Sequence, residues 1–156
     1  MTDDLDRLAD ALRTSAGPPF GRNAKGSLLD EGQRVVVMRA TGDLVFRLDP
    51  DAPALTALGR AAAGTGEAYG LCLRKSAPGA PITAALIVKD GTVRVGTLTL
   101  SDGAAPGFAM QWEYKIPTQS EGCVFDGDML YVGEEDAGIW ELKENGASAA
   151  ARLVGR

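Results

Sequence analysis

The stretch MLYVGEEDAGIWELK, residues 129–143, reads as a β-strand, a tight polar turn and a second β-strand. Apolar and polar residues alternate on both sides of the acidic turn, which is the period-two pattern of antiparallel strands. The same pattern recurs in RVVVMRATGDLVFRLD, residues 34–49, and in TAALIVKDGTVRVGTLTL, residues 83–100. Three such hairpins in one chain predict an all-β fold built from repeated units.

The hairpins at residues 83–100 and 129–143, the second and third in chain order, each follow a strand that contains a glutamate, in EAYGLCLRK and EGCVFDG. These glutamates, Glu67 and Glu121, lie 121 − 67 = 54 residues apart. Four-stranded propeller blades repeat about every 40 to 50 residues. The spacing therefore predicts a partial β-propeller of about two to three four-stranded antiparallel blades.

The expected strands of the best-defined blade cover residues 67–74, 82–88, 92–100 and 108–116, and the next blade runs from 121 to 154. Residues 34–60 supply most of a preceding blade, for whose innermost strand residues 24–29 are a candidate. Closed propellers have about four to eight blades. We therefore do not expect this chain to close a ring by itself.

Residues 1–23 have a different character from the rest of the chain. Thr2 can cap a short helix in which Leu5 and Leu8 share one face, and a Gly-Pro-Pro run ends it. The sequence predicts a short N-terminal helix and linker over 1–23 and a partial propeller domain over 24–156.

Composition excludes several kinds of chemistry. The chain has no histidine, so it cannot form a Ser-His-Asp triad or a His-ligated zinc site. A formal net charge of -5 argues against a broad surface for nucleic acid or anionic membrane, because both need a positive field. The acidic N-terminal stretch lacks the basic and apolar regions of a signal peptide, and the compartment is left open.

The two cysteines, Cys72 and Cys123, lie far apart in apolar alternating segments and form no C-x-x-C pair. The favoured interpretation is that both are small buried hydrophobic residues, ahead of a disulfide or a reactive thiol. Trp112 and Trp140 are likewise interpreted as packing residues of outer strands.

In a propeller blade, the loop into the first strand and the turn between the second and third strands lie at the same end. Charged turn residues are commonly just solvated, but their recurrence at corresponding blade positions favours a site. Carboxylates bind hard divalent cations, and these cations together with Arg and Lys can neutralise phosphate. The polar residues expected at this end are Arg39, Glu67, Tyr69, Lys89, Glu121, Glu134, Glu135 and Asp136.

Three motifs carry a resemblance to a known family: GEAYGLCL, SEGCVFD and YVGEEDAGIW. In order and spacing they resemble consecutive motifs of β-propeller phytases. The resemblance implies a six-bladed propeller that hydrolyses phytate, inositol hexakisphosphate, with several calcium ions and a water nucleophile. Members of this family are typically secreted or periplasmic.

The resemblance also implies metal ligands. Glu121 of SEGC and Glu135 of GEED would bind active-site calcium, with Glu134 and Asp136 as further candidate ligands. On residue chemistry alone, metal binding and a solvated acidic run are equally compatible with Glu134, Glu135 and Asp136. Calcium takes about six to eight oxygen ligands, so water, substrate or another chain would have to add to these carboxylates.

Substrate contacts follow from the same resemblance. Tyr69 of EAYG and Lys89 of the IVKDG turn would contact phosphate, and Arg39 resembles the family's phosphate-binding arginine. The implied catalytic set is Tyr69, Lys89, Glu121 and Glu135.

The sequence also departs from the phytase pattern. The family's opening blade motifs are not recognisable before residue 34, and its later Asp-x-Glu-Gly motif has no counterpart. Two alternatives to an incomplete phytase therefore stay open. They are a non-catalytic module that binds inositol phosphate or calcium, and a protein-interaction propeller. Open blade edges also predict self-association.

Overall fold

The computed structural model describes the backbone of residues 25–29, 34–39, 42–49, 54–77, 80–100 and 103–155, and side chains within these ranges from residue 57 onward. The predicted N-terminal helix and linker, residues 1–23, lie outside the described residues. The described part is all-β, as predicted. Within it, no helix is long and apolar enough to cross a membrane.

In the described ranges, twelve strands form three antiparallel sheets, each of four strands paired in chain order. We call β1–β4 the first sheet, β5–β8 the second sheet and β9–β12 the third sheet. The strands are β1 (Lys25–Leu29), β2 (Arg34–Arg39), β3 (Gly42–Asp49), β4 (Ala54–Ala61), β5 (Ala68–Lys75), β6 (Ile82–Val88), β7 (Thr92–Thr99), β8 (Gly107–Lys115), β9 (Ser120–Asp126), β10 (Met129–Glu134), β11 (Gly138–Asn145) and β12 (Ser148–Gly155).

The observed strands of the second sheet begin and end within one residue of the predicted ones, and the third sheet spans residues 120–155, against the predicted 121–154. In the first sheet, β1 supplies the fourth strand for which residues 24–29 were a candidate. The predicted four-stranded antiparallel units are therefore confirmed.

The β6–β7 turn shows why a polar hairpin forms at this point of the sequence. The Asp90 carboxylate accepts a hydrogen bond from the Thr92 backbone N–H at 2.9 Å, and Gly91 has a φ of 90°. An aspartate that bonds two residues ahead and a glycine with positive φ are the residues such a turn requires. Space matters too, because a Cβ on Gly91 would lie 2.4 Å from the carbonyl oxygen of Thr118.

The main core lies between the second and third sheets. The second sheet contributes residues such as Ile87, Val93 and Trp112, and the third contributes Leu130 and Leu142, all at most 4% exposed. Trp112 is thus a packing residue of the outer strand β8, as predicted. A smaller cluster covers the opposite face of the second sheet, with Ala61, Ile82, Ala84 and Leu98 buried in it.

The second sheet is therefore buried on both faces. The first strands of the three sheets also lie in series, since β1 contacts β5 and β5 contacts β9. The approach of β5 to β9 is so close that a Cβ on Gly70 would lie 1.9 Å from the Glu121 carbonyl oxygen.

A disulfide joins Cys72 of β5 to Cys123 of β9, with Cα atoms 5.9 Å apart. The interpretation of both cysteines as reduced hydrophobic residues was therefore wrong, although Cys72 is buried, at 8% exposed. The two residues are separated by 51 positions, about one repeat, and only the packing of successive first strands brings them together.

Candidate functional site

One end of the second and third sheets contains most of the residues predicted to form a site. In the second sheet, the Lys89 N–H donates to the Glu67 carbonyl at 2.9 Å. In the third, the Glu135 N–H donates to the Gln119 carbonyl at 3.0 Å. The same bond thus joins the start of the first strand to the second-to-third turn in both sheets. Corresponding residues differ by 119 − 67 = 52 positions in the first strand and 135 − 89 = 46 in the turn.

A β-bulge follows this bond in each sheet. In β5, Tyr69 is an extra residue between the paired Ala68 and Gly70. In β9, the register shifts across Glu121 and Gly122, between paired Ser120 and Cys123. Bulges bend a strand and redirect its side chains, and they are frequent beside functional sites.

The matched bulges correct the sequence alignment of the two repeats. Glu67 and Glu121 were taken as equivalent, 54 residues apart, but the counterpart of Glu67 is Gln119. The counterpart of Glu121 is Tyr69, because both lie two residues beyond the shared backbone bond. The reason is that hydrogen-bond register, rather than residue identity, determines which positions correspond.

In the second sheet, three predicted site residues lie together. The Lys89 Nζ is 3.5 Å from the Glu67 carboxylate and 5.5 Å from the centroid of the Tyr69 ring. The Lys89 and Glu67 side chains are 44% and 48% exposed. A half-exposed ammonium held between a carboxylate and an aromatic face keeps donors available to an anion from solvent.

The adjacent Asp90 was not predicted to take part. Its carboxylate lies 2.8 Å from the Lys115 Nζ. The hydrogen bond from Lys115, followed by the one from the Thr92 N–H, lowers the pKa of Asp90 to about 2. The corresponding position of the third-sheet turn is also acidic, Asp136. This recurrence is visible in the sequence and could have identified Asp90. Lys115 carried no such signal, because only the pairing of β7 with β8 places it at this turn.

The surroundings of Glu134 in the third sheet indicate that it supports the fold. Its side chain is buried, at 5% exposed. One oxygen accepts hydrogen bonds from the Thr118 N–H at 2.8 Å and hydroxyl at 2.7 Å, and the other accepts from the Trp140 indole N–H at 2.6 Å. Burial raises the pKa of Glu134, but the hydrogen bonds from Thr118 and Trp140 outweigh it and lower the pKa overall.

Both oxygens of this predicted metal ligand are therefore occupied by the protein, and Glu134 holds the turn in place. Trp140 was expected on an outer strand. It lies in β11, the third strand of its sheet, where it packs against the core and anchors Glu134.

Three other predicted carboxylates of the third sheet are exposed: Glu121, Glu135 and Asp136. The Gln119 side-chain amide donates to the Glu135 carboxylate. The pair Gln119 and Glu135 thus occupies the positions held in the second sheet by Glu67 and Lys89. Arg39 ends β2 and pairs with Gly42 across the corresponding turn of the first sheet, but its side chain lies outside the described residues.

The connection from β8 to β9 fixes the two turns side by side. The Ile116 N–H donates to the Gly91 carbonyl at 3.0 Å in the second-sheet turn. Two residues later, Thr118 donates to Glu134 at the third-sheet turn. The Lys89 and Glu135 turns are therefore held at neighbouring positions on the same end of the fold.

The donor chemistry of Glu121, Glu135 and Asp136 suits calcium, which prefers carboxylate oxygens. Among the described residues, however, no three Asp, Glu, Cys or His side chains converge as a ready metal site. A calcium ion here would therefore need most of its oxygens from phosphate and water.

Comparison with protein-family models and with curated proteins gives no match. The likeness to β-propeller phytases therefore depends on the motifs in residues 66–73, 120–126 and 131–140.

Proposed function

We propose that the chain is part of a β-propeller and that the charged end of its sheets binds phosphorylated small molecules of the inositol phosphate class, as in a calcium-dependent phytase. The main support is the repeated backbone bond, which places Lys89 and Glu135 at the same position of neighbouring sheets. A cation and a carboxylate at corresponding positions suit an anionic substrate that binds together with a metal ion.

Three features favour the propeller arrangement. Each sheet is a four-stranded antiparallel meander, the first strands lie in series, and the second sheet is packed on both faces. Propeller blades combine these properties.

Substrate binding would begin at Lys89. Its ammonium, positioned by Glu67 and Tyr69, would donate to phosphate oxygens, and Arg39 at the first-sheet turn is a further candidate. The exposed carboxylates Glu121 and Glu135, with Asp136, would repel phosphate unless a cation lay between them. Bound calcium would activate water and neutralise charge on the phosphoryl group.

A second candidate is non-catalytic binding of inositol phosphate. It is favoured by the lack of three converging metal ligands among the described residues and by the structural use of Glu134. Binding needs only the Lys89 ammonium and one cation that bridges phosphate to a carboxylate. Hydrolysis also needs a metal ion positioned so that its activated water can attack the phosphorus atom.

Phosphate release and phytate binding, both measured across a calcium titration, separate these candidates. Hydrolysis predicts release that is lost in Glu135→Gln and Lys89→Met and kept in Asp126→Asn, an exposed acid at the opposite end of β9. Binding alone predicts calcium-dependent heat of phytate binding with the same sensitivity but no release. If phytate neither binds nor releases phosphate at any calcium level, both candidates are wrong and a protein-interaction propeller remains.

A further inference from the structure

The third sheet has a distal face, which we define by Val124, Tyr131, Glu141, Ile139 and Arg152. Register places these residues on the side opposite Leu130 and Leu142, which pack on the second sheet. Val124 and Ile139 are 58% and 48% exposed. Large apolar side chains therefore face outward from a sheet whose other side is core.

These apolar residues occupy positions that are buried in the second sheet. With the offsets of 52 and 46 established by the site, the counterparts of Val124, Tyr131 and Ile139 are Cys72, Ala85 and Val93. All three counterparts belong to the core against the third sheet, at 8%, 0% and 0% exposed. The distal face therefore corresponds to the face on which the second sheet receives its neighbour.

The backbones of β5 and β9 show the same correspondence at a glycine position. A Cβ on Gly70 of β5 would lie 1.9 Å from the Glu121 carbonyl of the next sheet. Its counterpart in β9 is Gly122, and a Cβ there would meet nothing within 4 Å. Gly122 thus leaves room for an approaching strand that no described residue provides.

We propose that the distal face is a docking surface for a second copy of this chain, which places its first sheet there. The inference rests on the propeller arrangement proposed above. In the series β1, β5, β9, each first strand contacts the next, so a strand packed on β9 would continue the interface already formed twice within the chain. Of the three first strands, β5 already lies between the two others, whereas β1 contacts β5 alone among the first strands of the described sheets.

Counting only the sheets of the described residues, two copies would bring together six, within the range of about four to eight that closed propellers contain. Two-fold closure would form two identical contacts, each between the third sheet of one copy and the first sheet of the other. Without closure, the same head-to-tail contact would build an open polymer.

The carboxylate on the distal face already has hydrogen-bond partners within its own sheet. Glu141 accepts hydrogen bonds from the Tyr131 hydroxyl at 3.0 Å and from the Arg152 guanidinium at 2.7 Å. A carboxylate that already has its partners is covered at lower cost than an isolated one.

Light scattering and sedimentation equilibrium of the full chain without ligand test the proposal. We expect a dimer of the 16.2 kDa chain at micromolar concentration. Gly122→Leu should raise the dissociation constant of the dimer at least tenfold, because the leucine side chain would fill the space needed by the incoming strand. The open surroundings of Gly122 should keep the monomer folded. Val124→Asp should act likewise.

Met110→Asp is the matched control, since Met110 is 59% exposed but lies on β8, away from the distal face. It should leave the dimer unchanged. Circular dichroism and the intact disulfide check that each variant is folded. A wild-type monomer at 100 μM, or equal effects of Val124→Asp and Met110→Asp, would overturn the proposal, whereas growth beyond the dimer would support the docking surface and refute two-fold closure. If the wild-type protein were a monomer that bound phytate, the docking proposal would fail and the proposed function would stand, so the experiment distinguishes these two proposals.

Discussion

Replacing Glu134 tests whether this acidic residue supports the fold or is available to a cation. Its buried carboxylate accepts three hydrogen bonds, from the N–H and hydroxyl of Thr118 and from the indole of Trp140. Hydrogen bonds to a charged group contribute about 1.5–3 kcal/mol each, and a buried donor left without a partner costs about 1–3 kcal/mol. These values overlap within one network, so we expect Glu134→Ala to lower the free energy of unfolding by about 3–5 kcal/mol.

The isosteric variant sharpens this expectation. Glu134→Gln keeps one acceptor for Thr118, but its amide group would direct donors at the Trp140 indole N–H or at Thr118. We expect a loss of about 1–3 kcal/mol. The control is Glu135→Gln, an exposed neighbour of the same type, which should stay within about 0.5 kcal/mol of wild type.

Urea unfolding at pH 7, followed by circular dichroism, measures all three variants. The pKa of Glu134 is lowered in the folded state from its ordinary value of 4.5. Its contribution is therefore present above pH 4.5 and is lost as the pH falls through the lowered folded pKa. Stability should decrease less in Glu134→Gln than in wild type over this acidic range. If Glu134→Ala proved as stable as Glu135→Gln, Glu134 would not be a structural residue and the reasoning would fail.

Further predictions concern the sheet contacts and the second-sheet turn. Reducing the Cys72–Cys123 disulfide should lower the free energy of unfolding in urea by about 4 kcal/mol, since it closes a loop of 51 residues; a change under 1 kcal/mol would contradict this. Gly70→Ala should cost about 1–3 kcal/mol or more by separating β5 from β9, whereas Gly122→Ala in the monomer should cost far less; equal losses would refute the proposed close approach. Carboxyl NMR titration of Asp90 should give a pKa of about 2, and an ordinary value near 3.8 would show that the turn does not hold its carboxylate.

Local features of the sequence were enough to predict the strands and their grouping. Alternation such as that in TAALIV and polar turns such as Lys89-Asp90-Gly91 act over a few residues, so they can be interpreted without knowing what packs nearby. The same argument placed Tyr69 and Lys89 at one end of a sheet, where the structure brings them together.

Only the tertiary structure decided the roles that depend on neighbouring sheets. The bond between Cys72 and Cys123, the correspondence of Glu121 with Tyr69, and the burial of Glu134 all follow from how β9 packs and pairs. Residue type shows that a carboxylate can bind a cation or accept hydrogen bonds. Which of these it does depends on the donors within about 3 Å, and those are set by register and packing between residues distant in the chain.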